Sequence, residues 1–510
     1  MTVQSGVITI DQCDLNYCPT VLPCFKSLRD TVESLPPDQQ EKLHENVTLP
    51  DKHGNVMRLI YELVQVGVLD ITSDQYDVLK AVYDRHQSLI DVLKNRKSTK
   101  QEKKQAIATL KEDIARFREI IASLPVHSHL FVRQLGDLFA DRGMQDFFTF
   151  LVFDHLKKGR SRKRIFFSNH DEIMLRQQAA GLFSQLVGNK NATLGKVLGD
   201  DARPQDTSLI NLGMLIQHDL VSLEEVMGYI DNNYSPDLCL LDYERIDETH
   251  VDIFAHSPID FMAIKRIAGV LGVPHRDETI DALCATIDEI NAVFKKAVAE
   301  KRVSALLLSQ GPEERAMPES LANQVEGRLH GSLYGAQGNI IFNKYPIFSA
   351  IWSRPTTVVE GGGTEALLTR EKLCSPKREY TTSFYYGHVG EQHVVREEKT
   401  KEPAKQYRNL ETDLGKLPDK QQGLLKIRYC GSYPQMKEQL GQTVSAADIE
   451  RRDLLRQKIT LSEAVVPEEE CCCMPLCRFF GSFFSSKKKA EIPVQSSEPL
   501  YQPPSPPALH

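Results

Sequence analysis

The sequence predicts an α/β protein whose functional residues collect at the carboxyl ends of its strands. Two patterns carry this expectation. Short apolar runs recur at residues 47–49, 130–135, 165–167, 251–255 and 384–386, and each runs directly into a polar cluster. Helical periodicities separate the runs, the alternation expected of such folds.

In chain order, residues 1–45 form a lead-in with a Pro36-Pro37 break, and 46–430 make up the main domain. The strand at 47–49 stops at Pro50, and Leu59, Ile60, Leu63 and Val64 then repeat at helical spacing. Between 72 and 125 the apolar positions Tyr76, Leu79, Tyr83, Ile90 and Leu93, then Ile107, Leu110, Ile114, Phe117 and Ile121, predict a coiled-coil-like helical hairpin inserted into the domain. Its tip carries Lys94, Arg96, Lys97, Lys100, Lys103 and Lys104. A solvated tip and a site for a protein or anionic partner both fit that charge. A second helical insertion is expected at 259–335, where Ile264, Ile267, Leu271, Leu283, Ile287, Ile290 and Phe294 repeat. A helical extension follows at 431–466, and the Cys- and Pro-rich stretch 467–510 has the composition of a disordered tail.

Composition narrows the function. Across 510 residues, 62 basic side chains face 69 acidic ones, a net charge of -7 that argues against nucleic-acid binding by bulk electrostatics. No apolar run approaches the roughly 20 residues that cross a bilayer, and the start MTVQSGVITIDQCDL lacks the regions of a signal peptide. A cytoplasmic-type protein is expected. The eleven cysteines show no disulfide framework. Cys471, Cys472, Cys473 and Cys477, beside Phe479, Phe480 and Lys487 to Lys489, admit three readings: multiple S-acylation that anchors the chain to a membrane, a zinc site, or plain tail.

Three clusters carry the chemistry. Asp51-Lys52-His53-Gly54-Asn55 places a carboxylate and an imidazole on one turn after a strand, where both reach a metal. Gly136-Asp137-Leu138-Phe139-Ala140-Asp141-Arg142-Gly143 offers a carboxylate able to bridge two cations and an arginine fork for phosphate oxygens. Ser168-Asn169-His170-Asp171 adds an amide oxygen for a cation and a histidine placed to handle a proton. A lone aspartate or histidine at a strand end is more often a cap than a ligand. The ordered combination is what points to metal.

Together D-x-H-G, G-D-x-x-x-D-R-G and N-H-D resemble the PPP protein-phosphatase family, whose pattern is GDxHG, GDxxDRG, GNHE and two later histidines. Phe254-Ala255-His256-Ser257-Pro258 looks like its HGG segment and Tyr386-Gly387-His388-Val389 like its GHT segment. Trp352-Ser353-Arg354-Pro355 is similar to its W-S-x-P stretch, and Asn409 to Asp413 with 424–429 to its closing strands. More narrowly, the insertion-bearing plan resembles the Wip-type effector phosphatases of Legionella.

The resemblance implies a calcineurin-like metallophosphoesterase β-sandwich flanked by helices. It implies two divalent cations, manganese foremost, with iron or zinc as alternatives. Asp51, His53 and Asp137 would hold one cation, and Asp137, Asn169, His256 and His388 the other. A hydroxide activated between them would attack phosphorus in line. Arg142 and Arg354 would neutralise the phosphoryl oxygens, and His170, oriented by Asp141, would protonate the leaving oxygen. The implied substrate is a phosphoprotein carrying phosphoserine, phosphothreonine or phosphotyrosine, and an effector would reach it inside a host cell.

The chain departs from the family at Pro50, Ser168, Asp171 and Ser257-Pro258, and one extra residue separates Asp137 from Asp141. Two rival functions stay in view. One is a nucleotide or other small-molecule phosphoesterase of the same superfamily; nucleotide and nucleic-acid phosphodiesterases usually have a histidine two residues after the G-H pair, where this chain has Gly390. A non-catalytic interaction protein would be expected to lack ligands, and all six are present.

Overall fold

Two sheets stack into a sandwich in the computed structural model, which describes residues 2–4, 7–40, 45–189, 206–311, 345–352, 378–388, 405–416 and 420–431. All of these lie in the first of two units, Met1–Thr443 and Val444–His510. The larger sheet has the order β1 (Thr2–Gln4), β2 (Val7–Asp14), β11 (Gln422–Cys430), β3 (Asn46–Leu49), β4 (Phe131–Gln134), β5 (Arg162–Phe166) and β6 (Leu238–Cys239). Strands β3 to β6 are parallel, so the turns after β3, β4 and β5 all emerge at one edge. Strand β11 runs antiparallel to both β2 and β3.

The smaller sheet has the order β10 (Lys405–Asn409), β9 (Thr381–Tyr386), β8 (His250–Ala255) and β7 (Leu241–Arg245). The chain passes from one sheet to the other at Leu240. Asn291, in the helix Ile280–Ala299, fixes that crossing: its Oδ1 accepts from Leu240 N at 3.0 Å and its Nδ2 donates to Leu241 O at 2.7 Å.

Side chains alternate along each strand, which gives every sheet two different faces. Val132, Ile253 and Ile427 join the large apolar core, while their neighbours Arg133, Asp252 and Arg428 point between the sheets. There Arg133 Nη2 donates to Glu244 at 2.7 Å and its Nε to Asp242 at 2.5 Å, and Arg428 Nη2 donates to Asp252 at 2.7 Å. Nearer the site the seam turns apolar, with Leu135, Phe166 and Cys239 against Phe254, Tyr385 and Leu410.

The helices Ser73–Lys94 and Lys100–Ser123 form the hairpin, each opened by a capping box, Thr72 with Gln75 and Thr99 with Glu102. Its roots are pinned by a bridge between Leu69 and Val126 and by Asp70 N donating to Pro125 O at 3.2 Å. Phe117 stacks on Phe148 of the helix Asp146–Lys158 at 4.1 Å between centroids. Lys94, expected among the tip cations, donates to Asn211 at 3.0 Å and is tied to the body.

One boundary differs from expectation. Residues 1–45 are no mere lead-in: β2 pairs with β11, and Tyr76 of the hairpin donates to Leu15 O at 2.9 Å. In the second insertion the helices Phe261–Leu271, Ile280–Ala299 and Val303–Leu307 are described, while 312–344 are outside the described residues. So are the expected extension from 432 onward and the tail cysteines.

Candidate metal centre

The first loop follows β3 and is shaped by its own sequence. Asn55 caps the helix Val56–Gln65, accepting from Met57 N at 3.0 Å and Arg58 N at 3.2 Å, so the chain must turn within Asp51 to Gly54. It does so with His53 and Gly54 both left-handed, at φ 54° and 66°. Gly54 N donates to Asp137 O at 2.8 Å and Gly143 N to His53 O at 3.0 Å, which stitches this loop to the one after β4. A Cβ on Gly143 would collide with the Gly54 carbonyl, so the arginine-bearing turn needs glycine there.

The second loop is held by two buried carboxylates. Asp171 Oδ1 accepts from Leu138 N and Phe139 N, both at 3.2 Å, and Asp146 Oδ2 accepts from Ala140 N at 3.1 Å. Ala140 absorbs the extra residue by turning left-handed at φ 53°, and its carbonyl accepts from His170 Nδ1 at 2.7 Å. Ser168 accounts for another departure. Its Oγ caps the helix Asn169–Ala179 through Asp171 N at 3.1 Å, donates to Asp171 Oδ2 at 2.8 Å and accepts from Asp137 N at 3.0 Å.

The turns from both sheets converge on one buried cluster. Asp51 Oδ2 accepts from His388 N at 2.5 Å, and Asp51 Oδ1 lies 3.4 Å from His256 Nδ1. His256 Nε2 sits 2.8 Å from Asn169 Oδ1, 3.0 Å from His388 Nδ1 and 3.6 Å from Asp137 Oδ1. His53 Nδ1 is 3.2 Å from Asp141 Oδ2 and 3.9 Å from Asp137 Oδ2. Ligand atoms of Asp51, Asp137, His256 and His388 all fall within 4.8 Å of one another, and so do those of His53, Asp137 and Asp141. His53, Asp137 and His388 are all left-handed, at φ 54°, 51° and 62°. Such backbone costs roughly 1–3 kcal/mol per residue and gathers at functional sites.

The model of the WipA-like phosphatase domain matches residues 131–416, more than half of the chain. The chain belongs to the WipA-like phosphatase family. Its fold is similar to the crystal structure of the phosphatase domain from the Legionella effector WipB, with a TM-score of 0.51, 20% identity, and coverage of 68% of this chain and 99% of that one. No curated protein matches the chain.

A WipA-like phosphatase must meet the negative charge of a phosphoryl group, yet this cluster is itself rich in carboxylates. Asp51 Oδ1 and Asp137 Oδ1 are buried with no hydrogen-bond donor. Buried polar atoms are rarely left so, and hard oxygen donors beside imidazoles fit divalent cations. A Cβ on Gly387 would strike the Asp51 carboxylate, so glycine beside His388 keeps this space open. Burial pushes the Asp51 carboxyl up despite His256. Burial opposes charge on His53 and His256 too, but Glu411 and Asp141 around the first, and Asp51 and Asp137 around the second, raise each to about 9.

The nearest ligand atoms group otherwise than expected: Asp51 with Asp137, His256 and His388, and His53 either with Asp137 and Asp141 or with Glu411 and Asp413. His170 also differs. The Ala140 carbonyl fixes its ring, and Asp141 Oδ1 stands 3.6 Å from its Nε2, an electrostatic neighbour beyond hydrogen-bond length. Arg142 Nη1 donates to Asp141 at 2.7 Å from a partly exposed side chain. Arg354 lies outside the described residues. Sequence reasoning missed Asp146 and Glu411 as parts of the site. Glu411 was visible only as part of a strand-closing segment.

Proposed function

We propose that the chain is a metal-dependent phosphoprotein phosphatase that hydrolyses phosphomonoesters of serine, threonine or tyrosine. One observation carries the reading: Asp51, Asp137, His256 and His388, from loops of both sheets, bring their ligand atoms within 4.8 Å of one another in one buried cluster. In this reading Asp51, His53, Asp137, Asn169, His256 and His388 hold two divalent cations, manganese before iron or zinc. The cations would neutralise the phosphoryl oxygens and activate the attacking water.

The rest of the chemistry falls to the chain. Asp141 anchors one side of the Arg142 guanidinium, which directs its remaining N–H groups at phosphoryl oxygens. His170 gives its Nδ1 proton to the Ala140 carbonyl as a hydrogen bond, so Nε2 is the atom that delivers a proton to the leaving oxygen. Burial works against a charged His170, but Asp141 and Asp137 raise its pKa above the ordinary value and keep that proton in place. No phosphorylated enzyme intermediate is required.

The similarity to an effector phosphatase domain supports action on host phosphoproteins. The basic hairpin tip is the proposed partner site, and an acylated Cys471 to Cys477 segment the proposed membrane attachment. Dephosphorylation of a mixed phosphopeptide panel, with manganese and after chelation, tests the central reading, with nucleotide phosphates in parallel. Metal-dependent release from peptides supports it; release from nucleotides alone, or undiminished release after chelation, overturns it.

A further inference from the structure

A fully buried carboxylate stands behind the centre with no part in the chemistry so far. Glu411 is 0% exposed, in the turn after β10, and its Oε1 lies 3.1 Å from His53 Nε2. That is the ring nitrogen turned away from Asp137 and Asp141, which the opposite nitrogen faces. Burying a carboxylate costs several kcal/mol unless it is matched by charge and hydrogen bonds. Here the matching groups lead back into the fold. Arg58 Nη1 is 3.5 Å from Glu411 Oε1 and donates to Leu414 O at 2.5 Å, while its Nε donates to Glu62 at 2.8 Å. Glu62 in turn pairs with Lys52 Nζ at 2.5 Å. Asp413 N also donates to Glu411 Oε1 at 2.5 Å, so the carboxylate is held from the backbone side as well.

Resting on the metal-dependent reading above, we infer that Glu411 is a positioning residue: it grips the far nitrogen of His53 and so aims the near one at the cation shared with Asp137. The left-handed backbone at His53 persists only where its surroundings hold it, and the Glu411 carboxylate is one of the groups that do. Lys52 and Arg58 balance Glu62 and Glu411, so the carboxylate behind His53 is held in a charge-matched network. A histidine ligand gripped by a carboxylate is oriented and made more basic, and losing such a partner weakens metal affinity by roughly 10–100-fold.

The test measures manganese binding by calorimetry on the full chain, separately from turnover. Glu411→Gln should weaken binding by roughly 10–100-fold, while the metal-free variant keeps the parent's circular dichroism. Should the neutral side chain fail to fold beside Arg58, Glu411→Asp keeps the charge but falls one methylene short of His53, and should weaken binding likewise. On a His53→Ala background the Glu411 substitution should add nothing if, as inferred, Glu411 acts on the cation through that ring rather than as a ligand beside Asp413. Unchanged affinity in the folded variants overturns the inference, and so does a Glu411 effect of full size without His53, which would make Glu411 a ligand itself. If the parent binds no divalent cation, the metal-dependent reading fails and this inference with it; parental binding with an indifferent Glu411 removes this inference alone.

Discussion

Asp137 has an oxygen in each half of the centre and a left-handed backbone, and the two demands separate cleanly in one substitution. Asparagine tolerates that backbone, and Asp137 N would still donate to Ser168. Without metal, Asp137→Asn should therefore melt no lower than the metal-free parent, yet lose essentially all turnover on phosphopeptides, since a neutral amide cannot hold two cations. Near-normal turnover would sink the two-cation reading. His170→Ala should cost roughly 100-fold or more in kcat, most severely for alkyl phosphates. An activated aryl phosphate, whose leaving group needs no proton, should be spared, and an equal loss on both substrates would show His170 to be structural. At this scale the sequence offered candidates wherever a side chain sits in a motif after a strand, as at Asp51, His53 and Asn169. It was silent on the Ala140 carbonyl, because every residue carries one, and on Glu411, because its meaning depends on His53, which the fold brings to it from far along the chain.

The loops and the hairpin are the elements that set the pocket. The loops after β3 and β4 approach backbone to backbone at Gly143, where a methyl group would strike the Gly54 carbonyl. Gly143→Ala should spread the two loops, and calorimetry should find metal binding weakened by at least about tenfold, the scale seen when the support of a ligand is lost. The hairpin offers a pH-dependent test. His86 is buried against Phe148 and Gln145, and burial, helped by Lys94, pushes its pKa down to about 3. Between the ordinary value near 6.5 and about 3 the unfolded chain binds a proton that the folded chain excludes, so stability falls as pH falls through that window. One such group changes stability by up to roughly 1.4 kcal/mol per pH unit. His86→Gln keeps a partner for Gln145 and should flatten denaturant-unfolding stability between pH 6 and 4 by roughly that slope; an unaltered slope would place the acid sensitivity elsewhere. The hairpin was legible because its contacts are local and repeat at helical spacing. Strand β2 was not, although Val7, Ile8, Thr9 and Ile10 alternate, because its partner β11 comes from the other end of the domain and no local signal announces the pairing.

At the scale of the molecule, carboxylates gathered without donors are a cost that bound cations relieve. Loading with manganese should raise the thermal midpoint, since a ligand at a hundred times its Kd stabilises the fold by about 2.7 kcal/mol. Chelation should reverse the shift, and the Asp137→Asn variant should show little of it. A midpoint indifferent to both treatments would mean that the cluster is stable as it stands. The α/β class and the strand-end position of the site could be read from the sequence, because both follow from alternation along the chain. The sandwich rested on resemblance alone, since stacking of sheets leaves no periodic mark. That stacking bears on the chemistry. Asp51, Asp137 and Asn169 ride on one sheet, His256 and His388 on the other, and the charges between the sheets work like the wards of a lock. Arg133 fits Asp242 and Glu244, Arg428 fits Asp252, and a slide of either sheet by one residue would set each guanidinium opposite the wrong neighbour. The pocket is thus kept in alignment by residues that never meet substrate, and damage to them would leave a folded enzyme out of true.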